Sequence, residues 1–340
     1  MKSVGAPIAT PETHPQAAAV GSASPNVDVT ALIVNYNTAH LLERSIGLLR
    51  ASEGDLSLQI SIVDNASRDD SVRLIRERFV DCDFIANATN VGFGRANNQM
   101  LAGAAGRYVL LLNTDAFVEP RTLRSTVEFM DQHPECGVLG VRLEGRDHSL
   151  QPSCRYFPTP WNSFLARTGL DRVFTSTRMM DDMSWDHASI RECDWVPGCY
   201  YLVRRVVIDE VGLFDPRYFL YFEEVDHCRA VKAAGWKVVY FPDTTVVHIG
   251  GESAKSDAQL TSGRQISELQ VESELLYFRK HHGRIGVAVH IGLTLLADLI
   301  VGAKDLVRNR RRGSWASRWQ SCLTWLTLLR RTGWGQRATR

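Results

Sequence analysis

RYVLLLNTDAFVEP, Arg107 to Pro120, is the stretch that decides the fold. Tyr108 to Leu112 form an apolar run of strand length, the pattern of a strand buried on both faces. The run stops at Asn113-Thr114-Asp115, and PRTLRSTVEFMDQ then takes up helical spacing. Side chains alternate across a strand, so an extended Asn113 and Asp115 share one face. A core strand that ends in an amide and a carboxylate asks what they hold.

The same pattern recurs upstream. VTALIV (29–34) predicts a buried strand, followed by NYNTAH and the helical LLERSIGLLR. LSLQISIV (56–63) predicts a second strand, ending at Asp64-Asn65-Ala66-Ser67 before the helix DDSVRLIRERF. A short strand near 83–86 leads into NVGFGRANNQM. Strand, loop and helix in repetition predict an α/β fold, a parallel sheet with helices on both faces. Ligands of such sheets bind beyond the carboxyl ends of the strands. Asn35, Asn37, Asp64, Asn65, Asn113 and Asp115 all fall there.

Downstream the pattern is less regular. Residues 141–190, with Pro152, Pro158 and Pro160, predict loops and short helices. DWVPGCYYLVRR (194–205) predicts a strand, and a helix is expected from Glu223 to Ala234, with Gly235 as its C′ residue. WKVVYF and TTVVHIGG predict two further strands, and the remainder is helical.

The chain has 340 residues, 44% of them hydrophobic, enough for one large domain with an appendage. A net charge of +1 points to no particular partner. Seven cysteines, none in a CxxC pair, exclude a zinc ribbon and favour reduced thiols over a disulfide framework. Residues 1–27, rich in Ala, Pro and Ser, lack the apolar core of a secretory signal and predict a disordered leader.

Each polar motif has a chemical and a plain structural reading. NTD (113–115) suits a hard divalent cation, but an Asx-turn or a helix N-cap before PRTL is the commoner case. VDNAS (63–67) suits a base or ribose contact, and equally a helix cap. In NVGFGRANN (90–98) the two glycines allow close backbone approach, with Arg95 placed to meet a phosphate; a structural glycine turn explains them as well. In FEEVDHCR (222–229), Glu223 and Asp226 share a helix face and Glu224 points about 100° away. A solvated acidic helix start is the plain account. The adjoining aromatic run Tyr218–Phe222 would instead raise carboxyl pKa values, as a general base requires. His248 ends an apolar strand, where a satisfied core histidine is the commoner case.

Together the motifs resemble the family 2 glycosyltransferases, in their rhamnosyltransferase-like branch. The resemblance rests on NYN (35–37), VDNASRDDS (63–71), NVGFGRANN (90–98), NTD (113–115), WVPGCYYLVRR (195–205), GLFDPRYFLYFEEVDHCR (212–229) and HIGGES (248–253), in order over residues 28–282. It implies a GT-A fold, a Rossmann-like, mostly parallel sheet; the sequence beyond it, 283–340, reads as a C-terminal helical appendage. It implies inverting transfer from a nucleotide-diphosphate sugar, with Mg²⁺ or Mn²⁺ at Asp115, Asn113 and His248. Asn35, Asn37, Asp64, Asn65, Arg95, Asn113, Trp195 and Gly198 are implied to bind the donor. Glu224 matches the catalytic position, with Glu223 and Asp226 as alternatives, because Glu stands where the family carries Asp. Thr114 stands where the family carries Pro. The donor implied is dTDP-L-rhamnose. A UDP-hexose or UDP-galactofuranose, or a degenerate glycan-binding scaffold without turnover, are the alternatives.

Residues 284–303 are apolar over nearly a bilayer-spanning length, interrupted by His290 and Asp298. They predict an amphipathic or partly buried helix. From Leu306 to Arg340 there are nine Arg and no acid, with Trp315, Trp319, Trp325 and Trp334. That composition suits a membrane-surface helix that binds anionic lipid; helical packing onto the domain or onto a second subunit is the plain alternative. No nucleic-acid recognition motif is present. The expected setting is cytoplasmic, peripheral on the inner face of the cell membrane, with a glycan or polyprenyl-diphosphate-linked acceptor; the sequence leaves the oligomeric state open.

Overall fold

The computed structural model describes residues 27–250, 263–307 and 313–340. The expected leader up to residue 26, residues 251–253 of the HIGGES motif, and Arg308, Arg310, Arg311 and Arg312 lie outside the described residues.

The first half follows the expected pattern. Strands β1 (Val29–Asn35), β2 (Leu58–Asp64), β3 (Asp83–Ala86) and β4 (Tyr108–Leu112) pair in parallel in the order β3-β2-β1-β4. Helices α1 (Ala39–Ala51), α2 (Ser71–Arg78) and α3 (Phe93–Met100) connect them. Strand alternation sorts the core. Leu32, Val109 and Leu111 join one apolar cluster, and Ala31, Ile33, Leu110 and Leu112 the cluster on the opposite face. Both faces are covered, which is why these strands are apolar throughout.

The second half corrects the mostly parallel expectation. It comprises β5 (Ala116–Val118), α4 (Thr122–Gln132), β6 (Cys136–Glu144), β7 (Leu150–Gln151), α5 (Pro160–Thr168), β8 (Arg191–Cys193), β9 (Tyr200–Arg204), α6 (Arg205–Val211), α7 (Glu223–Ala233) and β10 (Lys237–His248). The sheet has ten strands and continues β4-β9-β6-β10-β5. β9 inserts antiparallel between β4 and β6, β5 is antiparallel to β10, and only β6 and β10 pair in parallel there. The consequence is functional. An antiparallel strand brings its entry, not its exit, to the ligand edge, so the residues preceding Tyr200 lie beside the end of β4, where Leu112 pairs with Tyr200.

The two strands expected around residue 242 are one, β10, with a register break between Phe241 and Thr245. Pro242 lies in that break and has no N–H to give the ladder. Residues 194–199, expected as strand, are irregular. α5 was hidden in the weakly periodic middle. Thr159 and Asn162 cap it reciprocally, and Pro160 opens it.

Helix α8 (Gly263–Val307) breaks at Gly283, where φ is 66°. Helix α9 (Gly313–Arg331) follows and packs back on it. The described part of the Trp-rich tail packs onto the domain, the plain reading of that segment. Trp325, Leu328 and Leu329 are buried in the same cluster as Tyr201, Phe214 and Leu275. Beyond α9, Thr339 donates to Glu272, and Arg340 reaches Arg95 through its carbonyl.

Candidate active site

A pocket of about 340 Å³ opens at the ligand edge of the sheet. Seven of the sequence-predicted residues line it: Asn65, Asn113, Asp115, Gly198, Glu223, Glu224 and His248.

One wall is the end of β4. The backbone turns there, with the Ala116 N–H donating to the Asn113 carbonyl at 3.1 Å. Asn113 and Asp115 therefore reach the pocket from a turn, not from an extended strand. The buried Thr114 hydroxyl meets that of Thr38 at 2.8 Å, tying this turn to the loop after β1. The antiparallel β5·β10 pair sets His248 opposite Ala116. His248 Nε2 comes within 3.5 Å of Asp115 Oδ1, while Nδ1 faces Gln151 Oε1 at 3.1 Å. The Cys199 sulfur, opposed by burial and reinforced by Asp115, raises the His248 pKa in the metal-free pocket, so a cation binding Nε2 would have to displace its proton. Among the described residues no three His, Cys, Asp or Glu side chains cluster to hold a metal. A hard divalent cation takes about six or more ligands. Asp115 and His248, with the Asn113 amide on the same wall, fit part of such a shell and leave the rest to ligand oxygens or water.

A second wall is the start of α7 and the loop before it. Tyr221 and Phe222 both have positive φ, 72° and 69°. Non-glycine residues held there are strained by about 1–2 kcal/mol each. The turn delivers Glu223 as the first residue of α7, 3% exposed, with no hydrogen-bond partner for Oε2. A helix N-terminus favours carboxylate charge. Burial outweighs it here: burial, then the Glu224 charge, push the Glu223 pKa well up, and burial raises that of the half-buried Glu224. His227, behind the pair, donates from Nε2 to the Gly212 carbonyl at 3.0 Å. Nδ1 is thereby left to accept from Tyr201 at 2.6 Å.

The other predicted residues stand outside the pocket. Asn35 and Asp64 face each other across β1 and β2. Both Asp64 oxygens are used, by Asn35 Nδ2 at 2.8 Å and the Ser67 N–H at 2.9 Å. Asn37 accepts from the Arg68 N–H at 2.7 Å. These three form a buried brace joining the loops after β1 and β2. Arg95 donates to the carbonyls of Pro216 and Arg340. Trp195 is buried, its indole N–H on the Tyr156 carbonyl and its ring under Arg155. Asp226 accepts from Lys280 at 2.7 Å and from His281 at 2.6 Å, which seals it away from the pocket.

Sequence reasoning missed Tyr36, which lines the pocket beside Asn65. The signal was present: Val34 and Tyr36 have the parity opposite to Asn35 and Asn37. It also missed Pro197 and Cys199, which reach the pocket because β9 is antiparallel.

Residues 30–182 match the family model Glycosyl transferase family 2. The chain is similar to the N-acetylglucosaminyl-diphospho-decaprenol L-rhamnosyltransferase of Mycobacterium tuberculosis, 29% identical over 245 residues, 66% of this chain and 76% of that protein. It is similar to rhamnosyltransferase WbbL of Escherichia coli, 24% identical over 238 residues, 67% of this chain and 86% of that one. Among solved structures, the mannosyltransferase PcManGT of Pyrobaculum calidifontis, in complex with GDP-Man and Mn²⁺, superposes with a TM-score of 0.53 at 14% identity. That match covers 92% of this chain and 88% of that one, and it shows the shared GT-A-type fold.

Proposed function

We propose, on the match of residues 30–182 to glycosyl transferase family 2, that the chain is an inverting transferase that moves L-rhamnose from dTDP-L-rhamnose onto a polyprenyl-diphosphate-linked glycan. The observation that carries this reading is one pocket lined by two chemically different sets of wall residues. The turn after β4 and the end of β10 bring Asp115, Asn113 and His248, and the start of α7 brings Glu223 and Glu224.

The first wall suits the diphosphate of the donor. Asp115 and His248 would hold Mg²⁺ or Mn²⁺, and such an ion supplies Lewis-acid stabilisation of charge on a leaving diphosphate. Asn65 and Tyr36 border the same pocket and suit the nucleoside. The second wall suits the acceptor. The acceptor hydroxyl oxygen bonds to the anomeric carbon as the sugar–diphosphate C–O bond breaks, and that electron pair leaves with the diphosphate. Glu224 accepts the hydroxyl proton, and its raised pKa matches a base that must hold that proton. Attack opposite the leaving group inverts the anomeric carbon. The names of the two relatives support rhamnose as the sugar, and that of the mycobacterial protein supports a prenyl-diphosphate acceptor. An acceptor of that kind sets the enzyme on the inner face of the cell membrane, as a peripheral protein on an anionic surface.

The test is donor hydrolysis by the full-length protein against dTDP-rhamnose and a panel of UDP-sugars, with Mg²⁺, Mn²⁺ or a chelator. Metal-dependent release of dTDP supports the reading. Release from a UDP-hexose instead replaces the donor. Nucleotide binding with no turnover, even with a prenyl-diphosphate acceptor added, overturns the enzymatic reading.

A further inference from the structure

After the break at Gly283, α8 is turned inside out. Its polar residues face the protein. His290 and Thr294 are each 2% exposed. Asp298 faces Arg167 at 3.6 Å and Arg318 at 3.8 Å. Its outward face is apolar. Ile285, Val289, Leu296 and Leu299 are 80%, 47%, 45% and 60% exposed, with Gly292 exposed in the same row. Spacings of four and three residues place them on one stripe. From Ile285 to Ala303 no exposed position carries a charge, while Arg284 precedes the stripe and Lys304 follows it.

A helix in water turns its apolar stripe toward the body of the protein. Here the body already occupies the other face. Leu293, Ala297 and Ile300 pack on Phe164 and Leu165 of α5. Lys304 donates to the Thr168 carbonyl at 2.8 Å, and Trp325 of α9 lies edge-on to His290. Nothing among the described residues covers the stripe.

Length and composition alone would let this helix cross a membrane: residues 268–306 have a mean hydropathy of 2.0 in their most apolar window. The packing opposes that. α5 lies along residues 293–304 and packs on them. Crossing would drag α5, Asp298 and Arg318 into hydrocarbon, where buried charge is expensive. A second copy of the chain is the other candidate cover. A helix pair of that kind sets charged residues beside its seam. The neighbours of this stripe are Gly286, Ala288, Leu293 and Leu295.

We infer that the outward stripe of α8, Ile285 to Leu299, docks on lipid, the helix lying in the membrane plane with this face sunk among acyl chains. The adjoining α9 adds exposed Trp319, Arg330 and Arg331, and the turn after it exposed Trp334, which suit an anionic headgroup layer. The inference rests on the membrane part of the proposed function. It moves the main contact from the Arg- and Trp-rich segment to the α8 stripe.

The experiment is flotation of the full-length protein with vesicles of phosphatidylglycerol and phosphatidylcholine, comparing wild type with Leu296→Glu/Leu299→Glu. Both leucines are exposed, so the fold tolerates the change; an unchanged thermal midpoint checks this, and Ile285→Glu/Val289→Glu is the second pair. The expected result is a partition coefficient lowered about tenfold or more, with dTDP binding unchanged. If both double variants float like wild type, the stripe is not the contact and this inference fails while the membrane reading stands. If wild type itself does not float, both fail. A wild-type dimer that Leu296→Glu splits assigns the stripe to a second copy and overturns the lipid.

Discussion

His248 Nε2 stands 3.5 Å from Asp115 Oδ1 across the antiparallel β5·β10 pair, joining residues 133 apart in sequence at the wall of one pocket. Two such ligands cannot close a divalent shell. Mn²⁺ should therefore bind weakly to the protein alone and markedly tighter with dTDP present, measured by titration calorimetry. Asp115→Ala should lower kcat/KM for donor hydrolysis about 10²–10³-fold, the usual effect of removing one electrostatic stabiliser. Tight Mn²⁺ binding without nucleotide would count against the arrangement.

Glu224→Gln should abolish transfer while sparing donor binding. Loss of a general base lowers kcat about 10²–10⁴-fold. Burial raises the Glu224 pKa, so its base form is gained as pH rises. The rate should therefore fall as pH drops through that raised value, and the fall should vanish in the Gln variant. A pH-rate profile of wild type with no acid limb would refute Glu224 as the base.

Glu223 makes a prediction about stability. Its folded pKa is raised above the ordinary 4.5 by burial and by Glu224. The folded state then holds a proton that the unfolded chain has lost. Its contribution is fully present below pH 4.5 and is lost as pH rises through the raised value. Glu223→Gln should thus be more stable than wild type near neutral pH, by about 1–3 kcal/mol for one unsatisfied buried group. The gain should shrink toward pH 4.5. Urea denaturation at two pH values checks it; an equal difference at both would refute the assignment.

Asp226 is predicted to position α7, not to do chemistry. Its two oxygens bind Lys280 and His281, and Lys280 also reaches Asp215 at 2.9 Å. Asp226→Ala leaves two donors facing a vacated site, and breaking such a buried pair costs about 3–5 kcal/mol. The expected outcome is a clear drop in the unfolding midpoint with kcat per folded molecule largely retained. A variant of wild-type stability that has lost kcat would return Asp226 to the reacting groups.

The strands were legible because burial on both faces leaves an uninterrupted apolar run, as in VTALIV and RYVLLL. The direction of β9 was not, since it depends on which strands flank it. The motifs fall at the strand ends around the pocket, yet sequence could not separate pocket wall from brace. Asn35 and Asp64 end adjacent strands just as Asn113 does, but they face each other and satisfy one another. Asp226 shares a helix face with Glu223, but its partners lie 54 and 55 residues further on. In α8 the sequence displayed apolar length, while its exposed face is fixed by α5 and α9.

Gly92 ties the two glycine-rich and aromatic motifs into one wall, and its replacement should disturb the pocket directly. Its backbone, φ 90° and ψ 161°, lies in a region that is essentially glycine's own. A Cβ there would stand 2.5 Å from the Phe219 carbonyl oxygen, which also accepts the Phe93 N–H at 2.9 Å. Backbone cannot swing aside as a flexible side chain can. The Phe219–Tyr221 loop must shift, although Ser273 of α8 holds it through the Leu220 carbonyl at 2.8 Å. Gly92→Ala should destabilise the fold by about 1–3 kcal/mol and raise the donor KM about tenfold, since Gly92, Phe219 and Tyr221 all border the pocket. Gly94→Ala is the control: its Cβ would meet the Phe214 Cβ at 3.3 Å, and its φ is not in the positive region. Thermal unfolding and donor kinetics on the two variants compare a backbone collision with a side-chain one. Equal behaviour in both assays would mean that the Gly92–Phe219 contact does not shape the site.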